Sequence, residues 1–425
     1  MGDSGAMTKR IATIGLLTTF LLGAAVAEAA RKQPAQSPVA QQALSPKVGL
    51  SLRAAQEMMQ KQDWDGAYAK LEEAQAITDK TPFDNFQIAE MLGYVELKRQ
   101  KYPEASAAFE RSIAFGLLPP AEATNRLKLV TQLALQLQDY SKAILFASRA
   151  IAATPDGEPE LYGLLGQAQY LSRDYKAAAV TTGQAVAKAR QAGKPLVESW
   201  LQMQLSSYGQ LKDEAGVFDS LKQLAVAFPK KAYLQDLFNQ WQLIKGDDRN
   251  LLNLCRLMFE LNLLQNADDY LKFAQVAVDM GLPGEAIKVL ERGTADKKFT
   301  DEVEQERARR QMAAAKLAVV TDRNTLAAME QSTAAKTGED EAQLGIALAS
   351  YGQYQKAAEA LQRGIAAGGI KRPDQAQLLL GQALLKLGRP AEAQAAFAAV
   401  PESAPLGAVA QLWRAYTAQP SPLGT

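Results

Sequence analysis

The sequence predicts an all-α protein, a solenoid of about ten helix-turn-helix repeats ended by a C-terminal capping helix. Three observations predict it. A pair made of an aromatic residue and, three positions later, an alanine recurs as Trp64 and Ala67, Tyr102 and Ala105, Tyr140 and Ala143, Tyr175 and Ala178, and Tyr354 and Ala357. Glycine preceded by leucine stands twelve residues before the alanine four times, at Gly93, Gly166, Gly345 and Gly381. The alanines, counting also Ala215, Ala286 and Ala393, fall 35 to 38 residues apart, except for two gaps of 71. Each gap is two periods, so degenerate repeats are expected near Asn250 and Thr321.

The first residues form an address. Lys9 and Arg10 precede an apolar run from Ile11 to Val26, which ends in Ala24-Ala25-Val26-Ala27-Glu28-Ala29-Ala30. A basic start, an apolar core of this length and A-x-A sites describe a signal peptide cut after Ala27 or after Ala29. Met7 makes a cleaner start than Met1. The other expectation is an uncleaved N-terminal helix anchored in the inner membrane. No cysteine lies near the cleavage site, which excludes a lipid-modified N-terminus. Cleavage implies a periplasmic or secreted protein. The stretch that follows, rich in Pro, Gln, Ala and Ser, is expected to be a flexible tether. The organisation expected is therefore 1–29 signal peptide, 30–46 tether, 47–230 N-terminal repeat array, 231–340 degenerate repeats, 341–418 C-terminal repeats with the capping helix, and 419–425 disordered tail.

Each residue type in the repeat has a physical reason. Two antiparallel helices, A and B, form one unit. Glycine on helix A allows close approach of its partner, and alanine on helix B sits where helices cross, where a larger side chain would push them apart. Leu71, Phe109, Leu290, Leu361 and Phe397, four residues after the alanine, share a face of helix B with the aromatic. One such pair cannot bury its own apolar faces, so pairs must stack and the end must be capped. Leu406, Val409, Leu412, Trp413 and Tyr416 make one stripe of a terminal amphipathic helix that serves this purpose.

This grammar resembles the tetratricopeptide-repeat family, whose period is 34 residues against roughly 36 here. The resemblance is to bacterial periplasmic members and covers Leu52 to about Val400. It implies a right-handed superhelix whose groove, lined by the A helices, binds a protein or peptide. The first half, from Ala54-Ala55-Gln56 through Asp63-Trp64-Asp65 to Met91-Leu92-Gly93-Tyr94, looks like members associated with TonB, ExbB and ExbD energy-transducing systems. That resemblance implies an envelope adaptor assisting outer-membrane uptake. Tyr233–Leu264 and Val303–Ala335 depart from the pattern, lacking its glycine and alanine signposts.

Composition narrows the chemistry. The chain has no histidine, which removes histidine-based nucleophile pairs, His-ligated zinc and HExxH peptidase motifs together. Its single cysteine, Cys255, is expected to be a small buried side chain. The net charge of +1 gives no reason to expect nucleic acid. Acidic clusters at Lys212-Asp213-Glu214, Gly246-Asp247-Asp248 and Gly338-Glu339-Asp340-Glu341 precede helices and are expected to cap them. Arg307-Ala308-Arg309-Arg310 lies beside Glu302, Glu304 and Glu306, as on a solvated helix face. No catalytic residue, metal site or cofactor is expected.

The expected site is the groove. Counting from the glycine signposts, its lining is Glu90, Tyr94 and Lys98 in the second repeat, and Asn125, Lys128, Gln132 and Gln136 in the third. The fourth offers Gln167 and Tyr170, the fifth Trp200, Gln204 and Tyr208. Amides can bond a peptide backbone and rings can cover its side chains; the alternative is that Tyr170 and Trp200 only pack between repeats. The paired-asparagine clamp by which some members hold chaperone tails does not carry over, because Tyr94, Gln132, Gln167 and Gln204 stand at the corresponding positions. Two functions remain open: an adaptor of a TonB-type system, or a scaffold or regulatory subunit of a polysaccharide or cell-wall synthesis complex.

Overall fold

The computed structural model describes residues 43–154, 157–243, 247–332 and 336–418. The expected signal peptide, nearly all of the tether, and the tail lie outside the described residues. Those described contain twenty α-helices and no strand. None of these helices is long and apolar enough to cross a membrane.

The chain divides into two compact units, residues 1–217 and 218–425. In the first, helices pair as α1 (Pro46–Gln60) with α2 (Trp64–Ala76), α3 (Pro82–Lys98) with α4 (Tyr102–Ala114), α5 (Pro120–Gln136) with α6 (Tyr140–Ala153), and α7 (Pro159–Leu171) with α8 (Tyr175–Gln191). α9 (Glu198–Leu211) follows, and α10 (Glu214–Ala227) carries the unit boundary. The aromatic signposts Trp64, Tyr102, Tyr140 and Tyr175 are the first residues of B helices. Each B helix starts the same way. A residue at φ near +60° (Gln62, Gln100, Gln138 and, at 68°, Arg173) reverses the chain two positions earlier. In three of these four turns an aspartate then caps the helix: Asp63, Asp139 and Asp174 accept from the backbone N–H of Gly66, Lys142 and Ala177.

The glycine and the bulky residue sixteen positions later prove to be one device. A Cβ on Gly93 would lie 2.4 Å from the Phe109 ring, and a Cβ on Gly381 the same distance from Phe397. Glycine opens a slot on helix A that the B-helix side chain fills. The alanines at 67, 105, 143, 178, 286, 357 and 393 are fully buried, as crossing points require. Ala215 departs from the expectation because it is exposed; the fourth position of α10 belongs to Val217, so the signpost there stood two residues early.

The array begins one residue earlier than expected, at Pro46, and its entry is tied down. The Asp84 carboxylate accepts hydrogen bonds from Ser45 N (2.9 Å), Ser45 Oγ (2.6 Å) and Thr81 N (2.8 Å). Burial works against its charge, but these bonds, led by the Ser45 hydroxyl, outweigh it and hold the carboxyl below the usual carboxylate range. A folded-state pKa below the unfolded one stabilises the protein above about pH 4 and loses that contribution as the pH falls. Asp84→Asn is therefore expected to cost about 1–2 kcal/mol at pH 7. Urea titrations of both forms should show that difference shrinking at pH 3; a constant difference would mean that the charge is irrelevant.

In the second unit the pairs are α11 (Lys231–Trp241) with α12 (Asp248–Glu260), α13 (Ala267–Asp279) with α14 (Pro283–Ala295), α16 (Gly338–Ser350) with α17 (Tyr354–Ala367), and α18 (Pro373–Lys386) with α19 (Pro390–Ala398). The first degenerate repeat is a true pair, with Leu251 where alanine stands elsewhere. The second, expected near Thr321, is not. The chain runs through that position as one helix, α15 (Glu302–Gln331). Its thirty residues contain neither glycine nor proline and are rich in alanine, so nothing stops the helix. The final helix, α20 (Gly407–Thr417), buries the expected stripe of Leu406, Val409, Leu412, Trp413 and Tyr416. It packs on α19, with Phe397 and Trp413 ring centroids 5.7 Å apart, and also on α12.

Candidate functional site

The first helices of neighbouring pairs touch, α1 on α3, α5 on α7 and α7 on α9, which gathers the A helices into one layer. Most of the expected groove residues face outward from it. Tyr94 is 36% exposed and meets Trp64 edge to face at 6.1 Å, with Lys98 Nζ 5.4 Å from its ring. Asn125 is exposed, and Gln132 and Gln167 are half-buried. Lys128, half-buried, pairs with Glu158 at 3.7 Å. Tyr170 is half-buried, its hydroxyl 2.8 Å from Ser206 Oγ and its ring edge-on to Tyr175.

Two expected residues belong to the packing instead. Trp200 is only 7% exposed, because its indole fills the space over Gly163; a Cβ there would lie 2.2 Å from Nε1. Gln204 is 9% exposed and donates through Nε2 to the Ala179 carbonyl at 3.4 Å. Neither is open to a partner in this arrangement. Tyr208 lies across Gly216 and is half-buried. Gly163 shows how sequence could have found the Trp200 contact: a glycine on one A helix makes room for a tryptophan on the next.

Sequence reasoning also missed groups that the structure adds to the face. Trp64, taken only as a helix start, forms an aromatic-cation cluster with Tyr94 and Lys98. Arg126 forms an ion pair with Glu90 from the preceding repeat, its guanidinium stacked 4.3 Å from the Phe109 centroid. Among the described residues, Glu90 Oε1, Arg126 Nε and Gln169 Oε1 are buried without a hydrogen-bond partner. Buried polar atoms of this kind are normally satisfied by water or an incoming group.

The other candidate chemistry resolves into structure. Asp213 accepts from Gly216 N at 3.0 Å, and Thr337 and Asp340 form a capping box. Asp247 bonds to Trp241 Nε1 and Asn250. Arg309 and Arg310 pair with Glu306, and Arg307 with Asp268. Cys255 is fully buried, and burial pushes its thiol pKa far up, away from thiolate chemistry.

Residues 374–405 match the tetratricopeptide repeat family profile; this stretch covers most of α18 and all of α19. No curated protein matches. Among solved structures, a tetratricopeptide repeat protein from Parabacteroides merdae is similar at 13% identity and a TM-score of 0.34, over 63% of this chain and 100% of that one. The C-terminal part of a repeat-containing protein from Cytophaga hutchinsonii is similar at 11% identity and a TM-score of 0.29, over 79% of this chain and 99% of that one. The TPR2AB-domain:pHSP90 complex of yeast Sti1 is similar at 12% identity and a TM-score of 0.25, over 70% of this chain and 100% of that one.

Proposed function

We propose that this array of tetratricopeptide-type helix pairs is a protein-binding adaptor or scaffold, and that the A-helix face of the first unit is where it holds its partner. One observation carries this reading. Tyr94, Lys98, Asn125, Gln132, Gln167 and Tyr170 put accessible or half-buried rings, amides and one ammonium on three successive A helices, which also carry buried polar atoms that lack partners at Glu90, Arg126 and Gln169. Such a surface suits an extended peptide, whose backbone amides would pair with the amides and whose side chains would lie on the rings.

The adaptor is proposed to work in the cell envelope after cleavage of its leader, assisting a TonB-type outer-membrane energising system. The charged start and double A-x-A site support export, and the look of the first half supports the system. A scaffold for polysaccharide or cell-wall synthesis is the second reading, and an inner-membrane anchor is the second localisation.

The test is co-purification of the tagged chain from crosslinked envelopes, comparing the parent with a folded Tyr94→Ala, Gln132→Ala, Gln167→Ala variant. Tyr94 alone should contribute about 2 kcal/mol if it is a binding hot spot. Recovery of ExbB, ExbD or TonB with the parent and loss with the variant supports the proposal. Recovery of synthases moves it to the second reading, and equal recovery by both forms removes the groove as the binding surface. Mass spectrometry of the same material should find an N-terminus at Glu28 or Ala30; an intact Ile11–Val26 segment held in membranes assigns the anchor.

A further inference from the structure

The second unit returns on itself. Gln382 Nε2 on α18 donates to Asn253 Oδ1 on α12 at 2.9 Å, and Trp413 Nε1 on α20 donates to the Asn253 carbonyl at 3.0 Å. Asn250 Nδ2 donates to the Pro405 carbonyl at 3.0 Å, and the Tyr416 hydroxyl to the Lys230 carbonyl at 2.8 Å. Lys386 forms an ion pair with Glu260. These contacts join the beginning of the unit to its end, and Gln382, Trp413, Lys386 and Glu260 among them line a partly open cavity of about 70 Å³. That is room for a few waters or a short chemical group.

The lining has two characters. Phe259, Phe273, Val289, Leu379 and Trp413 make an apolar wall. Its charges are already arranged, with one exception. Arg256 spends Nε and one terminal nitrogen on Glu285, at 2.7 and 2.6 Å, and the other on Asn253 Oδ1. Lys386 has Glu260. Lys288 has no carboxylate partner among the described residues; its Nζ donates to the Tyr354 hydroxyl at 2.8 Å and lies 5.4 Å from that ring. Lys288 is exposed while the apolar wall lies deeper, so the cation stands at the rim. The Gln382 Oε1 acceptor also has no partner among the described residues.

We infer that this cavity is a binding site for a monocarboxylate with a short apolar body, the carboxylate on Lys288 and Tyr354 and the body against Phe259, Phe273 and Trp413. With the other two cations paired to carboxylates, the lining carries one net positive charge, which matches one singly charged anionic group, and its apolar wall suits an apolar body beside it. The same chemistry occurs in a free small acid and in the C-terminus of a peptide with an apolar last residue.

Trp413 provides the readout. The full chain is titrated with 3-phenylpropionate, with its amide, and with an N-acetylated tripeptide ending in leucine as the free acid or the amide, following tryptophan fluorescence. The Trp413→Phe form checks the origin of the signal. A saturable change with an acid, and binding at least tenfold weaker for its amide, is expected. Lys288→Met should weaken acid binding about tenfold or more while leaving the circular dichroism spectrum unchanged. Tighter binding of the tripeptide acid assigns the site to a chain terminus, and tighter binding of phenylpropionate assigns it to a free acid. Absence of saturable binding by either acid, or equal binding of acid and amide, overturns the inference. The acid-amide comparison needs no variant, so it stands even if Lys288→Met fails to fold.

Discussion

Ala143→Trp should melt well before the parent protein. Ala143 is fully buried on α6 and packs with Ala134 of α5 and Ala168 of α7, so three small side chains meet where three helices approach. An indole there has no slot to enter, unlike Trp200, which has Gly163. The helices must separate or the ring must take a strained rotamer, and either costs about 1–3 kcal/mol or more. Thermal melts followed by far-ultraviolet circular dichroism check this. The matched control is Ala215→Trp. Ala215 shares the repeat spacing but is exposed, so its substitution should change stability by less than about 0.5 kcal/mol. Equal effects at the two positions would show that the crossing point is misplaced.

Arg256→Met should be of comparable or greater consequence for the second unit. Arg256 and Glu285 are 14% and 15% exposed and tie α12 to α14 through two charge-assisted hydrogen bonds. Burial alone would lower the arginine pKa, but the Glu285 carboxylate outweighs it and raises the pKa, so the guanidinium stays charged. Removing one partner of such a pair costs about 3–5 kcal/mol, because the other charge is left desolvated and unanswered. Arg256→Met also frees Asn253 Oδ1 of one donor, although Gln382 still bonds to it. The double variant Arg256→Met, Glu285→Leu should recover most of the loss in urea titrations, since a well-packed apolar pair replaces ions at little net cost. A double variant as unstable as the single one would mean that the pair acts through shape rather than charge.

The two variants probe different kinds of information. Ala143 belongs to a pattern written in consecutive residues. The signposts Tyr102, Tyr140, Tyr175, Pro283, Tyr354 and Pro390 each open a helix, and the glycines at 93, 166, 345 and 381 each face the residue sixteen positions on. Both ends of such a contact lie within one helix pair, and the pair recurs, so the signal is repeated along the chain. Arg256 belongs to no such pattern. Arg256 itself lies in a stretch where the signposts fail, and its partner is 29 residues away.

The candidate groove was legible to the same degree. Position on the A helix followed from the repeat count, which correctly separated exposed Asn125 and half-buried Gln132 from the core. Accessibility did not follow, because it depends on what the neighbouring helix offers. Trp200 and Gln204 occupy groove positions by count, yet Gly163 and the Ala179 carbonyl draw them into the packing.

The sequence alone determined the all-helical class, the period, the helix starts, the buried alanines and the apolar stripe of the last helix. These rest on turn chemistry and helical spacing, which act over a few to a few tens of residues. Tertiary structure decided what covers that stripe. It also decided that α15 runs on where two helices were expected, and that Asn253 joins Gln382 and Trp413, 129 and 160 residues away. A contact made once, across so many residues, leaves no periodicity behind it. Only the packed second unit brings its beginning and its end together.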